Sequence, residues 1–87
     1  MNDKVNVTLL VPEIDEKYDI YLPINKKIGT IVKLLNKAVN ELSNGLYPIT
    51  GGNRLYNVNT RQYYEANVLL YNTDIRNGTK LILISEI

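Results

Sequence analysis

The sequence predicts an α+β domain in which one helix packs across a mixed sheet of four to five strands. Three observations carry that expectation. Two stretches near the start alternate apolar and polar residues with a period of two, and they are separated by too few residues for a parallel crossover. A single later stretch has the three- and four-residue spacing of an amphipathic helix. A strongly apolar run then closes the chain after an Asn-Gly turn signal.

Strand one is read over Lys4 to Val11, with Val5, Val7, Leu9 and Val11 on one face. Pro12-Glu13-Ile14-Asp15-Glu16 supplies a turn, and strand two runs from Lys17 to Ile24 with Tyr18, Ile20, Leu22 and Ile24 aligned. The helix runs from Ile28 to about Ser43 on the apolar positions Ile28, Ile31, Val32, Leu35, Ala38, Val39 and Leu42. Asn25 or Thr30 is the expected N-terminal cap, and Gly45 the left-handed residue that ends the helix. Lys26 and Lys27 stand at the positive end of the helix dipole, where cations are mildly unfavourable, and the sequence offers no reason for them. Leu46 to Asn53, with Pro48 and Gly51-Gly52, reads as a loop. Arg54 to Val58 and Arg61 to Glu65 read as short strands around Asn59-Thr60. Val68-Leu69-Leu70 leads into a compact connection, and Asn77-Gly78 turns into a last strand, Thr79 to Ser85. Leu81 and Leu83 are expected inward and Ile82 and Ile84 outward; a strand apolar on both faces belongs in mid-sheet, beside strand one.

Composition narrows the function. Eighty-seven residues suit one domain spanning 1–87, and an initiating Met followed directly by a strand suggests a whole small protein. Leu, Ile and Val supply 29 side chains, enough for one two-layer core without disulfides. His and Cys are both absent, which removes the usual zinc ligands and the imidazole and thiol catalysts; no metal, cofactor or catalytic group is expected. Ten basic and nine acidic side chains leave a net charge of +1, so no global field favours nucleic acid. No run approaches the roughly 18–20 apolar residues of a membrane helix, and no signal peptide is visible. The expectation is a cytoplasmic protein without direct membrane insertion.

Arg54-Leu55-Tyr56, and Leu70-x4-Ile75 followed by Thr79-Lys80-Leu81-Ile82-Leu83, resemble the β-grasp fold of ubiquitin. The stretch LLYNTDIRNGTKLILI is similar to the closing segment of the EsaB/YukD family of small bacterial ubiquitin-like proteins. That resemblance spans nearly the whole chain, but its Leu, Ile and Asn-Gly positions specify packing and turning rather than function. It implies a cytoplasmic accessory component of a type VII (ESX-like, WXG100) secretion system of Gram-positive bacteria. Its partner would be a cytoplasmic region of a membrane component of that system. The family lacks the diglycine tail of conjugated ubiquitin, and so does this sequence: Ile87 stands two residues beyond the expected strand end, and the Gly51-Gly52 pair is internal. A non-conjugated adaptor, monomeric or weakly homodimeric, is therefore expected. The alternatives are a regulatory ubiquitin-like module unrelated to secretion and a sulfur carrier or modifier, which the missing tail disfavours.

In the β-grasp order the outward residues of strands one, five and three form one row: Thr8 and Leu10, Ile82 and Ile84, Arg54 and Tyr56. By the same resemblance Tyr56 falls where ubiquitin's principal binding isoleucine lies, and Ile84 where its binding valine lies. An apolar patch rimmed by Arg54, Lys4 and Lys80 is the expected partner-binding face, against the blander reading of scattered surface apolar residues or a homodimer contact. Lys26, Lys33 and Lys37 fall on one helical stripe, which a solvated outer face explains without a ligand. Asp15, Glu16 and Asp19 cluster in a charged turn, where solvated carboxylates are expected rather than an acid–base pair, so no enzyme activity is expected. Arg61 with Tyr63-Tyr64 suggests base stacking only weakly in so neutral a chain.

Overall fold

The computed structural model describes residues 3–85. The expectations resting on Met1 and Ile87 lie outside the described residues. The elements, in chain order, are β1 (Lys4–Val11), β2 (Glu16–Pro23), α1 (Ile28–Leu42), β3 (Asn53–Asn57), β4 (Gln62–Tyr63) and β5 (Lys80–Ser85), with single 3-10 turns at Pro12–Ile14 and Leu70–Asn72. The five strands form one mixed sheet in the order β2-β1-β5-β3-β4, with the helix on one face. This is a β-grasp, as expected, and each strand boundary except the end of β4 falls within one residue of the sequence reading.

β5 lies parallel to β1, with Leu9 opposite Leu81, and antiparallel to β3, with Leu55 opposite Leu83. The turn into β5 is fastened by Asn77, whose Oδ1 accepts from the Asn6 N–H at 2.8 Å while the Gly78 N–H donates to the Asn6 carbonyl at 2.8 Å. Gly78 has φ 90°, which only glycine adopts cheaply. Inward residues of all the longer elements meet in one core: Val7, Leu9, Val11, Leu22, Ile28, Ile31, Leu35, Val39, Leu55, Leu81 and Leu83 are buried, together with Leu70, Ile75 and Tyr47 from the connections. Burying this apolar area is the main stabilising term. No helix among the described residues is long and apolar enough to cross a membrane.

The helix departs from expectation at both ends. Lys27 is the N-cap, without a side-chain bond, so neither Asn25 nor Thr30 caps it. Instead the chain's own backbone does: Ile28 N–H donates to the Val68 carbonyl at 2.8 Å and Gly29 N–H to the Ala66 carbonyl at 2.9 Å. Leu70 N–H in turn donates to the Lys26 carbonyl at 2.9 Å. Lys26 and Lys27 thus serve through their main chain, which accounts for the segment but not for the choice of lysine. Lys26 stands outside the helix, so the predicted three-lysine stripe reduces to Lys33 and Lys37. At the other end Leu42 is exposed rather than part of the core face. The left-handed residue that ends the helix is Asn44, at φ 55° with its N–H donating to the Glu41 carbonyl, rather than Gly45, which follows at φ 83° and donates its N–H to the Asn40 carbonyl.

Between α1 and β3 the predicted loop is tightly held. Asn36 is a buried polar residue of the helix; its Nδ2 donates to the Pro48 carbonyl at 3.0 Å and its Oδ1 accepts from the Thr50 N–H at 2.8 Å. Tyr47 is buried, with its hydroxyl accepting from Asn53 Nδ2 at 2.9 Å. Beyond β3, the Asn57 Oδ1 accepts from the N–H groups of Asn59 and Thr60 and so ties the turn into β4. Arg61 sits in that turn with φ 60°, not in a strand, and Glu65 lies past the two-residue β4, which is why the predicted Arg61–Glu65 strand is shorter. The Asn57 Nδ2 donates to the Tyr64 hydroxyl at 2.7 Å, and that hydroxyl donates to Asp74.

Two outcomes follow from this packing. A Cβ on Gly29 would lie 3.1 Å from the Ala66 Cβ and 3.3 Å from its carbonyl oxygen. Gly29→Val is expected to cost about 1–3 kcal/mol, read as a lowered urea midpoint, because the wedge pushes on a hydrogen-bonded backbone. Burial, reinforced by the bond to Asp74, pushes the Tyr64 hydroxyl from its ordinary 10.0 up to about 12. The folded chain therefore keeps this proton in a range where the unfolded chain has released it, so the contribution is complete below pH 10 and is lost as pH rises toward 12. Tyr47, raised chiefly by burial, acts in the same direction. Tyr64→Phe should make the alkaline loss of stability shallower in unfolding curves; an unchanged slope would refute this account.

Candidate protein-binding face

Period-two alternation sends Leu10, Ile82 and Tyr56 to the sheet face away from the helix, and the strand register then aligns them. Leu10 lies opposite Lys17 on one side and Ile82 on the other, Ile82 opposite Tyr56, and Tyr56 opposite Tyr63. One row of side chains thus crosses all five strands. Flanking it, Ile84 pairs with Arg54 on one side, and Thr8 with Lys80 and Asp19 on the other. All six residues expected at the partner-binding face are therefore brought onto one surface. Arg54 is exposed, and Thr8, Leu10, Tyr56, Ile82 and Ile84 are half-buried by their neighbours.

The arrangement is more ordered than a scatter of surface apolar residues. The Arg54 guanidinium carbon sits 3.9 Å from the centre of the Tyr63 ring, a cation–π contact. The Tyr63 and Tyr56 rings meet edge to face, with centroids 5.0 Å apart and planes at 64°. Arg54, Tyr63 and Tyr56 form one stacked unit at the β3–β4 end of the row. Tyr63, 41% exposed, belongs to this face although the sequence reading did not include it. The signal was present: an outward Tyr56 and a tight turn at 58–61 make Tyr63 its cross-strand partner. Tyr21, on the same face opposite Asn6, is the other exposed aromatic that was missed.

The rim is charged. Lys80 and Lys4 are exposed on outward positions of β5 and β1, while Lys17 and Asp19 stand on the edge strand β2. The Thr8 hydroxyl is 3.4 Å from an Asp19 oxygen. Half-buried apolar centres ringed by cations, with an arginine and tyrosines at one end, have the composition of a protein-recognition surface. The acidic residues weighed as a catalytic cluster do not converge: Asp15 holds the turn with φ 53°, Glu16 begins β2, and Asp19 faces Thr8. Among the described residues no group of three acidic side chains is placed to hold a metal ion.

Neither a protein-family model nor a curated protein matches the chain. Solved structures do. The chain is similar to the ubiquitin-like domain of the Mycobacterium tuberculosis type VII secretion system protein EccD1, with a TM-score of 0.76, 16% identity, and coverage of 98% of this chain and 100% of that one. The EccD5 ubiquitin-like domain from Mycobacterium xenopi gives a TM-score of 0.73 at 15% identity, covering 99% and 100% of the two chains. A chain of the MycP5-free ESX-5 inner membrane complex gives a TM-score of 0.69 at 20% identity; 99% of this chain is covered, and it spans 22% of that chain's length. At such identities the likeness establishes the fold: the chain is a ubiquitin-like β-grasp.

Proposed function

We infer that the chain is a non-conjugated ubiquitin-like adaptor of a type VII secretion system, a member of the EsaB/YukD group. It performs no chemistry and acts in the cytoplasm by binding a cytoplasmic region of one of the system's membrane components. The observation that carries this reading is the continuous row Leu10–Ile82–Tyr56 with Arg54 stacked on Tyr63 beside it. An aromatic–arginine unit next to half-buried aliphatic side chains provides anchors around which a partner excludes water. The secretion context is supported by the ubiquitin-like domains of EccD1 and EccD5 and by the ESX-5 inner membrane complex, in which a chain of this fold is part of a larger component.

Affinity capture from native host membranes tests both halves. The wild-type chain should recover secretion-system membrane subunits, and Tyr56→Asp combined with Ile84→Asp should reduce recovery about 30-fold or more while circular dichroism stays native. Undiminished capture by the double variant would remove the face from consideration. A wild-type eluate without secretion subunits would remove the context.

A further inference from the structure

A second surface lies on the helix side of the sheet, where α1 and the edge of β3 part to leave a groove of about 500 Å³. Its floor is made by the buried Ile28 and Leu55, and its walls by Val32 of the helix and Ile49 of the preceding loop. A side-chain amide builds it at one end and a backbone bond at the other. The Asn36 amide clamps Pro48 and Thr50, and Gly29 N–H holds the Ala66 carbonyl. The clamp leaves Ile49 60% exposed at the groove's lip although the residues on both sides of it are tied down. Lys33 and Lys37, one turn apart and exposed, form the helical rim, and Glu65 is the acidic residue of the lining. Two cations from one turn of helix therefore overlook an apolar slot.

The β3 edge adds a third element. Val58 N–H donates to the Lys80 carbonyl at 3.1 Å, which sets the antiparallel alternation: the backbone groups of Arg54 and Tyr56 face β5, and those of Asn53 and Leu55 face the other way. β4 pairs with β3 at Tyr56 and Asn57, and Tyr64 N–H reaches the Leu55 carbonyl. The backbone edge at Asn53 lies beyond that cover and lines the groove.

We propose that this groove docks an extended, acidic segment of a partner protein. One aliphatic side chain of the segment sits between Val32, Ile49 and Leu55, its carboxylates meet Lys33 and Lys37, and its backbone adds to β3 at Asn53. Charge complementarity selects this occupant, because the helical rim is cationic and the slot beneath it apolar. The sheet separates the groove from the outer face, and Arg54 is the one outer-face residue that also lines the groove.

Heteronuclear NMR on the isotope-labelled full chain tests it, with a short peptide probe carrying a Leu-Ile core followed by Asp and Glu, and a control in which Lys replaces the acids. The expected result is shifts at the Val32, Gly51, Asn53 and Leu55 amides that weaken with added salt. Lys33→Glu with Lys37→Glu should lower affinity about tenfold. Ile49→Asp, at an exposed position that leaves folding intact, should lower it at least as much. Tyr56→Asp with Ile84→Asp should leave it unchanged, which separates failure here from failure of the outer-face reading. Equal binding of the lysine control, shifts confined to Leu10, Tyr56 and Ile82, no binding at all, or a concentration-dependent self-association that fills the groove with a second copy would each overturn the proposal.

Discussion

The structure depends on the seating of β5 between β1 and β3. Leu81 and Leu83 are fully buried on one side of it, and its backbone bonds to strands on both edges. Without β5 the β1–β2 hairpin and the β3–β4 pair have no hydrogen-bonded connection. A central strand satisfies its polar backbone on both sides while presenting apolar side chains to both faces, which is why this segment tolerates so little polarity. The parallel contact with β1 requires the long excursion through α1 and β3, and the same excursion lays the helix across the sheet. Core and outer face are thus two results of one pairing: Leu81 and Leu83 face the helix, while Ile82 and Ile84 complete the row with Leu10 and Tyr56.

Most of this architecture was legible in the residues because it rests on periodicity. The alternation of Val7, Leu9 and Val11, the helical spacing of Ile28, Ile31, Leu35 and Val39, and the apolar closing run each have one economical solution. What was not legible has a common cause: polar groups whose partners are distant in sequence. Asn36 reads as an ordinary helix-surface amide, yet it is buried to hold Pro48 and Thr50. Tyr47 reads as part of a loop, yet it enters the core because Ser43, Asn40 and Asn53 bind its N–H, carbonyl and hydroxyl. The helix start reads as capped by Asn25 or Thr30, whereas the capping carbonyls come from 66–68, nearly forty residues later. Local capping rules search nearby side chains and cannot find a backbone partner supplied by tertiary structure.

The candidate face divides in the same way. Strand order and alternation placed Thr8, Leu10, Arg54, Tyr56, Ile82 and Ile84 together. The contacts that give the face its character, Arg54 over Tyr63 and Tyr63 against Tyr56, required the β3–β4 register, which a two-residue strand and a turn with Arg61 in the left-handed region obscure. The groove beside α1 was invisible because it is made by a loop that Asn36 holds at Pro48 and Thr50 and that Asn40, Ser43 and Asn53 hold at Tyr47. Sequence thus reveals surfaces created by repeating geometry more readily than those created by a few side-chain bonds to a loop.

The position of β5 also orders events in time. During synthesis the ribosome delivers β1, β2, the helix, β3 and β4 before the strand that joins them, so the two half-sheets emerge with facing unpaired edges and much of the core open to water. Helix and hairpin form early from neighbouring contacts, whereas the sheet closes only once residue 85 has cleared the exit tunnel, a late and cooperative step. Until then the nascent chain presents two templates for strand addition, making this interval the period of greatest exposure to chaperones, proteases and mispairing with other chains.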